Sequence, residues 1–193
     1  MNEYQLADLR KDMANCEQTH GLSVLAHGYS VSSYFHDLRN HVINGEPLKY
    51  EWRLPEWVAD RSLWDSMPDI SIIDNYHIYH DCGKPYCLEV DDEGKRHFPN
   101  HADVSASKWE SLGGDPLEVD FMRRDMDIHL LKADGIEKFM EFEHWPTLLF
   151  TGLAEIHANA SMFGGIGSTS FKIKWKNINK RGNAIIKRMK ENG

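Results

Sequence analysis

Apolar residues recur at steps of three and four along most of this chain, the period of α-helices that each bury one face. Tyr4 to Cys16 predicts a first helix. From Ser23, the positions Val31, Phe35, Leu38 and Val42 mark one buried stripe, which Gly45-Glu46-Pro47 ends. Pro55 to Met67 predicts a short helix with proline in its first turn, and Ile70 to Asp81 another. Helical spacing resumes at His101 to Leu112 and stops at Gly113-Gly114-Asp115-Pro116. Val119, Met122, Met126, His129, Ala133, Ile136 and Met140 then alternate steps of three and four, and Thr147 to Met162 repeats the pattern with Phe150, Leu153, Ala154, His157 and Ser161. Between these runs, Lys84 to Pro99 is polar and turn-rich, which predicts a β-hairpin turning at Asp91 to Gly94. A glycine-rich break at 163–167 precedes a basic tail, 168–193. With no repeat or linker, the expectation is a single all-α domain over residues 1–193, its core about 20–165.

Composition changes this picture little. A chain of 193 residues, 41% hydrophobic and 27% charged, is ordinary for one globular domain. No apolar run reaches the ~18 residues of a membrane span, and Met-Asn-Glu-Tyr-Gln-Leu-Ala-Asp lacks signal-peptide features. Cys16, Cys82 and Cys87 form neither a disulfide framework nor a zinc-type pair. A cytoplasmic protein with no membrane association is expected. Charge is more informative. The chain carries −8 overall, yet the tail sets Lys172, Lys174, Lys176, Lys180, Arg181, Lys187, Arg188 and Lys190 against Glu191 alone. Such a segment, 172–190, is either a contact for nucleic-acid phosphates or a solvated helix face. Trp52, Trp57 and Trp64 are likewise either core or a surface on which bases stack.

The candidate chemistry sits mid-chain. Tyr79-His80-Asp81-Cys82-Gly83-Lys84-Pro85 sets an imidazole beside a carboxylate at a helix stop, and Phe98-Pro99-Asn100-His101 follows the acidic turn. Imidazole nitrogen and carboxylate oxygen are ligands for divalent metals. A second His-Asp pair, His36-Asp37, lies mid-helix on a polar stretch, where a structural role fits better. At about 100° per residue, His27 falls at the edge of the Val31–Val42 stripe, His36 points away and His41 is marginal. His129 and His157 occupy core-face positions on separate helices. With His27 and His101, they form a set of inward-facing histidines of the kind that builds metal sites in helical bundles. Each is either a ligand or a hydrogen-bonded core residue, since an unpaired buried polar group costs about 1–3 kcal/mol.

At these residues the chain resembles the HD-domain superfamily of metal-dependent phosphohydrolases, whose pattern runs His, His-Asp, then a later Asp. Locally it looks most like the HD domains of CCA-adding and poly(A)-polymerase-type tRNA nucleotidyltransferases, which carry His-Asp-x-Gly-Lys-Pro, an acidic turn, then Phe-x-x-His-x-x-x-Gly-Ala. Here Ser105 replaces the glycine and Asp103 stands where glutamate is common. His27-Gly28-Tyr29-Ser30-Val31 is similar to the family's first-histidine segment. The resemblance implies an HD-like helical bundle, His27, His80 and Asp81 as metal ligands, and Lys84 as a contact to phosphate or to the ligands. It places His101 and His129 where two-metal members carry further histidines. In Leu153-Ala154-Glu155-Ile156-His157-Ala158-Asn159-Ala160, His157 stands where the family has aspartate. A neutral nitrogen there tilts the expected ion from Mg²⁺ toward Mn²⁺, Fe²⁺, Co²⁺, Ni²⁺ or Zn²⁺, one or two per chain. The activity implied is hydrolysis of a phosphate ester on a nucleotide or a nucleic-acid end, with Asp81 and Lys84 in the chemistry and Lys84, His101 and His129 able to contact substrate. Two rivals are a non-catalytic module of the same fold that binds nucleotide or RNA, and a di-iron oxygenase.

Overall fold

A computed structural model describes residues 3–19 and 21–192 of the chain. It is all-α, with two small antiparallel hairpins. In order, the elements are α1 (Glu3–Asn15), β1 (Glu17–Thr19), β2 (Leu22–Ser23), α2 (Val24–Asn44), α3 (Arg61–Asp65), α4 (Ile70–Tyr79), α5 (Lys84–Cys87), β3 (Glu89–Val90), β4 (Arg96–His97), α6 (His101–Ser111), α7 (Pro116–Arg124), α8 (Asp127–Leu130), α9 (Ile136–Met140), α10 (Trp145–Ala158) and α11 (Thr169–Asn192). The expected hairpin is present from Glu89 onward, β3 pairing with β4 across the acidic turn, whereas Lys84–Cys87, expected to belong to it, is the short helix α5, with Pro85 in its first turn. Asp91 builds that turn by accepting from the backbone N–H of Glu93 and Lys95 and from the His97 ring. Among the described residues no helix is long and apolar enough to cross a membrane.

Contacts sort the chain into two compact units. One combines the described residues up to Ser30 with Asp69–Asp125; the other combines Val31–Pro68 with the described residues from Met126 onward. In the first unit, α7 packs against α4 and α6, while α1 packs against α5 and β2. Aromatic pairs carry its core: Tyr76 stacks on Phe121 and Tyr79 on Trp109, with centroids 5.0 and 4.5 Å apart. Their polar ends are satisfied, since the Tyr76 hydroxyl donates to Asp125 and the Trp109 indole N–H to Glu118. Glu118 also closes a capping box with Asp115, so the Asp-Pro-Leu-Glu sequence starts α7 as local chemistry requires.

The second unit is built on α10, buried over nearly its whole circumference, with α8, α3 and α11 packed against it. Trp57 and Trp64 close on Phe150, so both are core residues. Gly182 of α11 admits the Trp57 indole to a place that any side chain would fill. The basic tail is the long helix α11, with Phe171, Ile178, Gly182, Ile185 and Ile186 buried along one face. In the same unit the buried Asp37 accepts from the backbone N–H of Lys49 and Tyr50 and from the Trp52 indole. Asp37 of the His36-Asp37 pair therefore fastens the loop after α2.

One periodic run is not one helix. The Val119–Met140 pattern divides into α7, α8, a 3₁₀ turn at Ala133–Gly135 and α9. The chain extends at Leu131 and Lys132, and the Leu131 carbonyl, outside any helical ladder, accepts from the Arg181 Nε at 3.0 Å. Spacing of three and four survives such breaks because it reports the buried face and not the continuity of hydrogen bonds. The Pro55–Met67 segment is also divided, into a 3₁₀ turn, Glu56–Ala59, and α3, with Asp60 capping the latter through the Ser62 N–H.

Candidate metal centre

Two close backbone approaches assemble this site within the first unit. His27 lies in the first turns of α2. A Cβ on the following residue, Gly28, would strike the carbonyl of Ile78 in α4, so glycine lets α2 come near enough to face His27 toward the end of that helix. Gly83 does the same on the other side, where a Cβ would overlap the backbone of Ser105 in α6. Ser105 secures that contact, its hydroxyl accepting from the Gly83 N–H at 2.9 Å. Between the glycines, α4 gives way to tight turns, with Cys82 N–H donating to the Tyr79 carbonyl and Lys84 N–H to that of Asp81. His80 and Asp81 project from this corner.

His27, His80 and Asp81 are 0%, 2% and 1% exposed, and one ligand atom from each lies within 4.8 Å of the others. Asp81 Oδ2 is 3.3 Å from His80 Nε2 and 3.7 Å from His27 Nε2. Tetrahedral ligands about 2.1 Å from a metal stand about 3.4 Å apart, so these gaps suit a shared ion. The His80 Nδ1 donates to the His77 carbonyl at 2.8 Å, which selects the tautomer with its lone pair on Nε2. Asp81 Oδ1 is buried with no hydrogen-bond partner among the described residues. This group can hold a metal ion, and its residues fit one.

Lys84 completes the electrostatics. Its ammonium is 2.6 Å from Asp81 Oδ2 and donates to Gln18 Oε1 of β1 at 2.9 Å. Burial opposes charge on Asp81, but Lys84, then the His80 and His27 rings, outweigh it and hold the carboxyl well below its usual range. Burial and the Asp81 charge push the Cys82 thiol up to about 12, and the thiol is turned to the Ser105 carbonyl, to which its Sγ donates at 3.5 Å. His101 begins α6 with its Nε2 3.7 Å from Asp81 Oδ1; its side chain is 20% exposed and forms the open side of the cluster.

The other two expected ligands do not join this group. His157 lies in the second unit with both ring nitrogens committed: Nδ1 donates to the Leu153 carbonyl at 2.8 Å, and Nε2 accepts from the Arg53 N–H at 3.0 Å. It is a core histidine, packed against Trp52 and Phe171. His129 pairs with Glu155 at 2.8 Å, also in the second unit. Sequence reasoning in turn missed Gln18, a neutral amide in a three-residue strand that gives no periodic signal.

Burial lowers the His157 pKa to about 4 from an ordinary 6.5, against two hydrogen bonds that raise it. Between those values the unfolded chain takes up a proton that the folded chain refuses. His157 therefore adds stability in full above pH 6.5, and this is lost as pH falls toward 4, a change of about 3 kcal/mol. Urea unfolding at stepped pH measures it, and His157→Gln should flatten that part of the slope. An unchanged slope would mean that the ring is protonated inside the fold.

Comparison of the chain with family models, with curated proteins and with solved structures finds no match.

Proposed function

We propose that this protein is a metal-dependent phosphohydrolase acting on a nucleotide or a nucleic-acid end. The observation that carries the reading is the convergence of His27, His80 and Asp81 with a lysine ammonium against the shared carboxylate. The likeness of the block from His80 to Ala106 to HD domains, and not the ligand set itself, suggests the phosphate chemistry. Two imidazoles and one carboxylate favour Mn²⁺, Fe²⁺, Co²⁺, Ni²⁺ or Zn²⁺ over Mg²⁺. One ion is the natural number, because His129 and His157 are engaged elsewhere.

When bound, a divalent cation acts as a Lewis acid on a phosphoryl oxygen and lowers the pKa of a coordinated water. The chain's own residues do the rest. His27 and His80 would donate nitrogen from buried positions, and Asp81 brings the anionic charge that draws a cation in. Lys84 sits where it offsets charge on phosphoryl oxygens. His101, at the open side, hydrogen-bonds the phosphate. The outward face of α11, with Lys172, Lys176, Lys180 and Lys187 exposed, offers contacts to a nucleic-acid backbone.

The depth of the cluster favours one other reading, a non-catalytic module whose ion is structural. Elemental analysis of the as-purified protein, followed by phosphate release from a mixed library of nucleotides and short oligonucleotides, separates the two. Catalysis predicts about one ion per chain and turnover that stops on chelation. Stoichiometric metal with no release from any member, and nucleotide binding indifferent to chelator, would leave only the module.

A further inference from the structure

We propose that the second unit carries a binding site of its own for a small phosphate ester, in the cavity of about 270 Å³ bounded by α8, the C-terminal half of α10 and α11. Its apolar floor includes Ile156 and Ile178. Such a floor with a few polar groups around it is the usual make-up of a small-molecule pocket.

The cations point to the ligand's charge. Lys174 and Arg181 are two turns apart on α11 and line the same cavity. The lysine ammonium rests 4.8 Å from the centre of the Phe163 ring, and the arginine gives its Nε to the Leu131 carbonyl. Neither is ion-paired to an acidic side chain among the described residues, although the body of the chain is acidic. The acid lining the pocket, Glu155, is turned onto His129 at 2.8 Å and leaves both cations to a guest. Two long cationic side chains lining one cavity, neither paired to a carboxylate, can turn toward one phosphoryl group, which accepts from each.

Asn159 argues that the guest is more than a bare anion. It lines the cavity and is only 9% exposed, and its Oδ1 has no hydrogen-bond partner among the described residues. A buried amide acceptor left unmade is costly. A ligand hydroxyl or amino group would satisfy it after a small turn of the amide toward the cavity. Phosphate on the cations and a donor at Asn159 together describe a phosphorylated sugar or a mononucleotide, and the cavity holds a molecule of about that size.

Calorimetric titration of the full chain with AMP, ribose 5-phosphate, inorganic phosphate and adenosine tests this. Because AMP would also be a candidate for the metal centre, each titration is repeated on the double variant Asp81→Asn with Lys84→Met, which removes both members of the buried charge pair and whose fold is checked by circular dichroism. The two phosphate esters should bind saturably and keep their affinity in the double variant. Inorganic phosphate should bind more weakly, and adenosine not at all. Lys174→Glu, at an exposed position that cannot disturb the core, should weaken both esters about tenfold or more, the loss of a charge-assisted contact. Asn159→Asp should do the same while leaving metal content unchanged. Three results would overturn the site: no saturable binding by either ester, affinity indifferent to Lys174→Glu, or binding that disappears in the folded double variant. Binding confined to oligonucleotides would overturn it too, since that is a surface property of α11.

Discussion

Asp81→Asn is expected to purify without its metal ion. The substitution keeps the shape of the side chain but removes the charge at the oxygen facing His80 Nε2 at 3.3 Å and His27 Nε2 at 3.7 Å. Loss of groups that merely support a ligand already costs ten- to a hundredfold in affinity. Losing the anionic ligand itself should cost roughly a hundredfold or more, and phosphate release should fall with it. The variant also strands the Lys84 ammonium, buried and deprived of its partner at 2.6 Å, at a cost of about 3–5 kcal/mol. A loss of metal through misfolding must be separated from a loss of ligand. The double variant Asp81→Asn with Lys84→Met removes both charges and should regain most of the stability while still binding no metal. Should the double variant take up metal as the unaltered protein does, Asp81 is not a ligand.

Lys84→Met tests the same contact from the other side. Without metal, this variant leaves the Asp81 carboxylate buried beside two imidazoles with no fixed cation, and should be less stable than the unaltered protein by about 3–5 kcal/mol. For a chain of this length, that lowers Tm by roughly 6–20 °C. Adding Mn²⁺ or Zn²⁺ should restore most of the difference, because a bound ion supplies the missing positive charge and stabilises only the folded state. Affinity for the ion should rise, since the ammonium no longer competes for Asp81 Oδ2. Gln18 matters here: its Oε1, 2.9 Å from the Lys84 Nζ, gives the ammonium a second anchor when an ion takes the carboxylate. Thermal denaturation with and without metal reads both effects. A variant destabilised equally in both conditions would show that the metal does not reach Asp81.

Much of the local architecture was legible in the residues alone. The stripe from Val31 to Val42, the stop at Gly45-Glu46-Pro47 and the Asp115-Pro116-Leu117-Glu118 start of α7 are decided within a turn or two of chain. The β3–β4 hairpin is decided the same way, by Asp91 folding back on the next few N–H groups. In the candidate site, His27 lies on the face its helical angle assigns, but the Gly83-Lys84-Pro85 expected to stop the helix after Asp81 instead opens α5, because α4 already ends at Tyr79.

Histidines show where that legibility stops. His27 and His157 both belong to helical segments with their rings facing inward, and nothing in the spacing tells them apart. Burial demands only that a ring's nitrogens find partners. In His157 one partner is the Arg53 N–H, 104 positions away in the chain. Such a pairing exists only after the fold has formed. The same holds for the break between α7 and α9, where the Leu131 carbonyl is taken by Arg181, and for Trp57, which fits because Gly182 leaves room.

The sequence by itself determined which segments are helical, where several of them stop and which faces are buried, because caps, turns and amphipathic spacing act over a few residues. Only the tertiary structure decided that His27, His80 and Asp81 share one point in space, that Lys84 and Gln18 attend them, and that His129 and His157 do not. Those outcomes depend on how closely backbones approach at Gly28 and Gly83 and on which distant donor reaches a buried nitrogen. A one-dimensional period carries neither quantity.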